Sequence, residues 1–221
     1  MLIACWSPKG GTGTTVVSAA LALILARDTG AAVAADLTGD LPTVLGVPEP
    51  GGPGLAEWLA AGATVPPDGL RRIEVAAAPG LALLPWSGGS PDGRPGGEAL
   101  AAALAADGRA IVVDCGRADG GPGFAVAARA TRSLLVLRPC YVALRRALAA
   151  PLRPSGIVLI REPERSLHRR DVTDALGVPI AAFVDWDPSV HRAVDAGLLA
   201  SRLPRPFERA LRTAVVEAAA A

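Results

Sequence analysis

The chain has no asparagine and no glutamine, and Lys9 is the one lysine among its 22 basic residues. Arginine supplies every other cation, and alanine, glycine and proline are abundant, a pattern that fits a GC-rich coding sequence. Aromatic residues make up only 4%, so any core must be built from Ala, Leu and Val. The three cysteines, Cys5, Cys115 and Cys140, have no metal-type spacing, and an odd count fits reduced thiols in the cytoplasm. The longest apolar stretch, residues 16–26, is too short to cross a bilayer. No basic segment precedes the first apolar residues, so no signal peptide is read. A net charge of +1 argues against a dominant nucleic-acid field. The charge is uneven, however: residues 1–110 carry 6 basic and 10 acidic groups, and residues 111–221 carry 16 and 11. A soluble, cytoplasmic chain is expected.

What is present is an alternation. Residues 1–6 are an apolar run ending at a Gly-rich turn and read as a buried strand. Residues 14–27 are helical in pattern, with Gly30 as a stop signal. Residues 31–35 read as a second strand ending at Asp36. Gly/Pro-rich loops over 46–54 and 87–97 flank a short helix around 55–61 and a strand around 81–85. A helix over 98–107 leads into the apolar run 110–113 and Asp114. Strands over 133–137, 155–160 and 180–184 then alternate with helices over 141–150, 166–176, 188–196 and 206–219. This order predicts an α/β fold, a mainly parallel sheet with helices on both faces, in one domain over residues 1–221.

The loop Ser7-Pro8-Lys9-Gly10-Gly11-Thr12-Gly13-Thr14-Thr15 joins the first strand to the first helix. Such a unit aims the backbone N–H groups of residues 10–15 at an anion, and the helix dipole favours negative charge there. In a chain that otherwise uses arginine, a compact ammonium at Lys9 suits a tight phosphate cradle better than a planar fork. Thr15 offers a hydroxyl for Mg²⁺. Asp36 and Asp114 each follow an apolar strand, which in a parallel sheet puts both carboxylates at the loop's edge, placed to hold the metal's waters. The plainer role for either is a helix cap.

These residues resemble the deviant Walker A motif of the MinD/ParA class of P-loop ATPases, and the resemblance covers nearly the whole chain. Residues 35–40 resemble that family's Asp-x-Asp segment, residues 111–114 its Walker B strand, and residues 156–159 the strand before its adenine site. The resemblance implies a P-loop NTPase-like fold that binds ATP and Mg²⁺ as a sandwich homodimer and acts as a positioning or partitioning switch. Lys9 and Asp36 would be catalytic, Lys9 reaching phosphates across the dimer. Lys9, Gly10, Gly11, Thr12, Gly13, Thr14 and Thr15 would hold the nucleotide, and Thr15, Asp36 and Asp114 the metal. A protein partner is implied, with recruitment to the cell pole, septum or nucleoid. The sequence departs from the family at Thr14, where the ordinary P-loop lysine stands, at Pro8, at Thr38 for the second aspartate, and at Ile160 for the adenine-reading asparagine. The Lys-to-Thr change and the Thr38-Gly39-Asp40-Leu41 run resemble the CpaE/TadZ branch, which places pilus-secretion machinery. These departures imply weak or absent hydrolysis, and they leave open a nucleotide-free scaffold.

Three features lie outside that motif. Ten arginines between Arg129 and Arg170 form a basic run that fits non-specific DNA binding or solvated helix faces. The last helix carries Phe207, Leu211 and Val215 at four-residue spacing, a stripe expected to dock on the sheet rather than on a membrane. Trp186 fits stacking on a base or a packing role.

Overall fold

A computed structural model describes residues 1–62, 66, 68–89 and 93–219. The chain runs β1 (Leu2–Trp6), α1 (Thr14–Thr29), β2 (Ala32–Asp36), α2 (Leu41–Leu45), α3 (Leu55–Ala61), α4 (Gly69–Arg72), β3 (Val75–Ala78) and β4 (Leu81–Leu84). It continues through α5 (Gly97–Ala105), β5 (Ala110–Asp114), α6 (Gly121–Arg129), β6 (Arg132–Leu137), α7 (Tyr141–Ala149), β7 (Gly156–Arg161) and α8 (Arg169–Leu176). It closes with β8 (Ile180–Asp185), α9 (Pro188–Asp195) and α10 (Arg205–Ala219). The sheet has eight strands in the order β3-β4-β2-β5-β1-β6-β7-β8. Every pairing is parallel except β3 with β4.

The apolar runs explain this order. All five residues of β1 and all five of β2 are buried, which only strands covered on both faces can achieve. Side chains alternate along β1: Ile3 and Cys5 enter one core with α1, α2 and α10, while Leu2, Ala4 and Trp6 enter the other with α3, α5 and α6. The stripe Phe207, Leu211 and Val215 is buried in the first core, so α10 docks on the sheet. Among the described residues no helix is long and apolar enough to cross a membrane.

The structure also adds elements that the pattern does not announce. β3 is a short antiparallel edge strand of Val and Ala. α2 and α6 both start with proline in the first turn, where a missing N–H costs nothing, and α4 is a single turn. The consequence for function lies at one sheet edge. Parallel strands bring the C-terminal ends of β1, β2, β5, β6, β7 and β8 together, and register pairs Asp36 with Asp114 and Cys5 with Asp114.

Candidate functional site

The loop after β1 turns through left-handed backbone at Gly11 (φ 74°) and Gly13 (φ 94°), conformations that glycine adopts without a Cβ penalty. Ser7 anchors its start, the hydroxyl donating to Lys9 O at 2.9 Å and the amide to Gly116 O at 2.8 Å. Gly13 then leads into a buried helix of 16 residues with no side-chain cap and no acid in its first turn. Helix N-termini leave amides without intrahelical partners. Here they open onto a cleft of about 470 Å³ between residues 10–15 and the loop after β5. An uncapped helix start facing a cleft suits an anion, and this donor set fits a phosphate chain.

Behind the cleft lies a buried polar cluster. Asp36 and Asp114 are both fully buried. Asp36 Oδ1 accepts from the Thr38 amide, the Thr38 hydroxyl and the Gly39 amide, each at 2.9 Å, and Oδ2 accepts from Leu41 N at 3.1 Å. Asp36 therefore caps the turn into α2, and its four contacts commit the carboxylate to that turn. Asp114 accepts from Gly116 N at 3.2 Å, and the nearby Thr15 hydroxyl favours its charged form. The Thr38 hydroxyl lies 3.1 Å from Asp114 Oδ2, so one O–H stands between two carboxylates. Burial pushes Asp114 up to about 6; the Asp36 charge adds to the rise and the Thr15 hydroxyl opposes it. Asp36 is raised by burial against those same turn hydrogen bonds. Two desolvated carboxylates beside the Thr38 hydroxyl bring together oxygen ligands suited to a hard divalent cation, while the uncapped amides suit the anion.

Thr14 is the first residue of α1. It is buried, and its hydroxyl lies 3.0 Å from that of Thr12. Lys9 lies on the loop, but its side chain does not line the cleft. Arg138, at the end of β6, donates to Thr12 O at 3.3 Å and pairs with Glu162 at 2.6 Å, which ties the loop to β7. Sequence reasoning counted Arg138 only within the basic run and did not anticipate the bridging role of Thr38. The Asp-Leu-Thr-Gly turn was the available signal for Thr38, because such residues cap locally.

Farther along the edge, a cavity of about 100 Å³ lies among Gly13, Val16, Ile160, Trp186, Val190 and Phe207. An ideal Cβ on Gly13 would stand 3.4 Å from Ile160 Cδ1, so this isoleucine packs directly on the loop after β1. His191 meets the Trp186 ring edge-on at 5.0 Å. The arginine run does not form one bare patch: Arg129, Arg138, Arg161, Arg165 and Arg170 pair with Glu98, Glu162, Asp185, Glu162 and Asp174. Cys5 and Cys115 are buried, and burial pushes Cys5 up to about 12 and Cys115 well above the ordinary thiol value. They are inert core residues.

No protein-family model matches the sequence, and comparison with curated proteins finds no match. Solved structures do match. The chain aligns with the cell-division ATPase MinD of Pyrococcus furiosus at 23% identity and TM-score 0.79, covering 100% of this chain and 99% of that one. The septum site-determining protein MinD of Pyrococcus horikoshii OT3, solved with Mg-ADP, aligns at 21% identity and TM-score 0.79, covering 98% and 94%. A ParA family ATPase from Chlorobium tepidum TLS aligns at 20% identity and TM-score 0.76, covering 95% of each chain. The chain has the α/β fold of MinD- and ParA-type P-loop ATPases, a mainly parallel sheet with helices on both faces.

Proposed function

We propose that residues 1–221 form a single nucleotide-binding domain acting as a MinD/ParA-like spatial regulator, a sandwich homodimer on ATP and Mg²⁺ with weak or absent hydrolysis. The observation that carries this reading is the uncapped start of α1 facing the cleft, with Thr15 on its lining and the buried carboxylate of Asp114 behind it. Gly10, Gly11, Thr12, Gly13, Thr14 and Thr15 hold the phosphates mainly through backbone N–H groups. Thr15 and Asp114 hold the cation. Asp36 supports them by fixing the Thr38 hydroxyl between the two carboxylates. Bound Mg²⁺ neutralises charge on the phosphate chain. Lys9, whose side chain lies outside its own cleft, is available to the phosphates of a second copy.

Weak turnover follows from two substitutions. Phosphoryl transfer depends on preorganised charge around the transferring group. Thr14 brings no charge to the loop, and Thr38 spends its hydroxyl between Asp36 and Asp114 instead of offering a free carboxylate to water. The MinD of Aquifex aeolicus has been solved in complex with MinC, which supports a protein partner here. The Lys-to-Thr exchange and the Thr38-Gly39 run favour machinery of the CpaE/TadZ kind, at a pole or septum.

Calorimetric titration of the purified protein with ATP–Mg²⁺ tests the reading. Binding with a dissociation constant of about 1 μM or weaker is expected, because the backbone cradle remains while one charge-assisted contact, worth roughly 1.5–3 kcal/mol, is gone. No heat at millimolar nucleotide would overturn it and leave a nucleotide-free scaffold, the use that the buried Thr14 and the Ile160 plug would then serve.

A further inference from the structure

We propose that Arg117 binds the phosphate chain, supplying from the loop after β5 the positive charge that Thr14 no longer supplies from the loop after β1. The proposal rests on the nucleotide reading above and names a further binding residue for that site. Among the described residues that line the cleft, Arg117 carries the only positive charge, while Asp40 and Asp119 also line it. A polyanion entering beside those acids and the buried pair Asp36 and Asp114 needs a cation from the protein as well as one from solution.

Arg117 is built to provide it. The backbone at its foot is fixed: Gly116 donates to Asp114 Oδ1 at 3.2 Å and accepts from Ser7 N at 2.8 Å, and Ala118 N donates to Cys115 O at 3.2 Å. An ideal Cβ on Gly116 would lie 2.8 Å from Thr38 Cγ2, so the loop packs against the residue that bridges the two carboxylates. Gly116 (φ 58°) and Ala118 (φ 44°) are both left-handed, and Ala118 is a buried non-glycine residue in that conformation. Between them Arg117 stands on a rigid base beside the phosphate loop, its side chain 61% exposed. Its partner is Asp119, itself half exposed. An ion pair this exposed contributes little, so exchanging Asp119 for a phosphate oxygen is easy. A guanidinium also suits the exchange, because its fork can take two oxygens at once.

The test is a titration of ATP–Mg²⁺ into wild type, Arg117→Ala, Arg117→Lys and Asp119→Asn, with thermal melts of each without ligand. The melts should coincide within a few degrees, since both side chains are exposed. Arg117→Ala should weaken binding by roughly 10- to 150-fold, the range for a charge-assisted hydrogen bond. Arg117→Lys should keep part of the affinity. Asp119→Asn should bind about two- to fivefold more tightly than wild type, because the guanidinium is released from its competitor, and this gain should vanish when Asp119→Asn is made in the Arg117→Ala background. If wild type binds and Arg117→Ala binds within twofold of it, the role of Arg117 is overturned and the nucleotide reading stands. If wild type gives no heat at millimolar nucleotide, both fall.

Discussion

The two ends of one sheet edge have had different fates. At the end proposed above to take phosphate, where β1, β2 and β5 finish, polar groups are concentrated: buried Asp36 and Asp114, bridged by Thr38, stand beside a loop whose glycines leave amides facing a cleft. At the other end, where β7 and β8 finish, Ile160 fills space against Gly13 beside a cavity of about 100 Å³, and a larger cleft of about 530 Å³ lies among Arg161, Glu162, His168, Asp185 and Trp186. Some of the charged side chains there have local partners: Asp187 caps α9 through Ser189 N at 2.8 Å, and Arg161 pairs with Asp185 at 2.6 Å on the exposed surface. Recognition by backbone tolerates substitution, because any residue carries an N–H, whereas recognition by side chain is lost with a single exchange. A site can therefore keep its hold on phosphate while giving up its reading of the base.

The largest expected effect breaks the phosphate end directly. Lys9→Ala should abolish nucleotide-dependent dimerisation while leaving the melting temperature of the ligand-free protein unchanged, since its side chain is not part of either core. Lys9→Arg should also fail, because a planar fork does not replace a compact ammonium in a tight cradle. Analytical ultracentrifugation with and without ATP–Mg²⁺ decides the matter. Variants that dimerise as wild type does would remove Lys9 from the switch and weaken the regulator reading most.

The next effect is a matter of stability. The value of about 6 for Asp114, raised first by burial, stands above the ordinary 3.8, so the folded chain binds more protons than the unfolded chain between those values. Its contribution to stability is complete below about pH 4 and is lost as pH rises through 6. The gap corresponds to roughly 3 kcal/mol. Asp114→Asn removes the titration, so in the absence of ligand its stability relative to wild type should improve by about that amount between pH 4 and pH 7.5. Urea melts at several pH values measure this, and a flat difference would mean that Asp114 is not desolvated. At the other end, the Ser189 amide holds Asp187 below the ordinary carboxylate value. Asp187→Asn should show no such pH-dependent gain, which would confine the stored cost to the phosphate end.

How much of this was legible in the sequence follows the same division. The strands β1, β2 and β5 are short continuous apolar runs, ended by a Gly-rich turn after β1 and by aspartate in β2 and β5, so the meeting of this loop and both aspartates at one sheet edge could be read from pattern alone. β3 could not, because Val75–Ala78 is nearly all alanine and pairs only at an edge. α6 opens with Gly-Pro-Gly, which reads as a turn until the proline is recognised as a helix-start residue. Thr38 looked like a missing acid, and only the three-dimensional register of Asp36 with Asp114 makes its hydroxyl a bridge. Ile160 could be read as a lost asparagine. That its side chain packs on Gly13 depends on β7 and α1 meeting across the sheet edge, and no local pattern carries that information.

The smallest expected effect is the most direct test of the base end. ATP–Mg²⁺ and GTP–Mg²⁺ should bind with affinities within about threefold of each other. Adenine and guanine differ at position 6, an amino donor against a carbonyl acceptor, and at the guanine 2-amino group. A site separates them only by presenting uncommitted polar groups to those edges, and a single neutral hydrogen bond is worth about 0.5–1.5 kcal/mol, or roughly two- to twelvefold. Stronger rejection requires a buried polar group left unpaired by the wrong base. Here Val16, Ile160, Val190 and Phe207 present carbon to the cavity. Arg138 is held by Thr12 O and Glu162, Asp185 by Arg161, and Asp187 by the start of α9. The charged side chains on the lining have partners, and His191 and Trp186 add only ring nitrogens beside the apolar residues. Neither purine edge therefore gains more than one neutral hydrogen bond would give, and phosphate contacts set the affinity of both. Parallel calorimetric titrations check this. A preference above tenfold for ATP would mean that a backbone group or Asp187 still reads the base, and the contrast between the two ends of the edge would then narrow to a difference in the residues used.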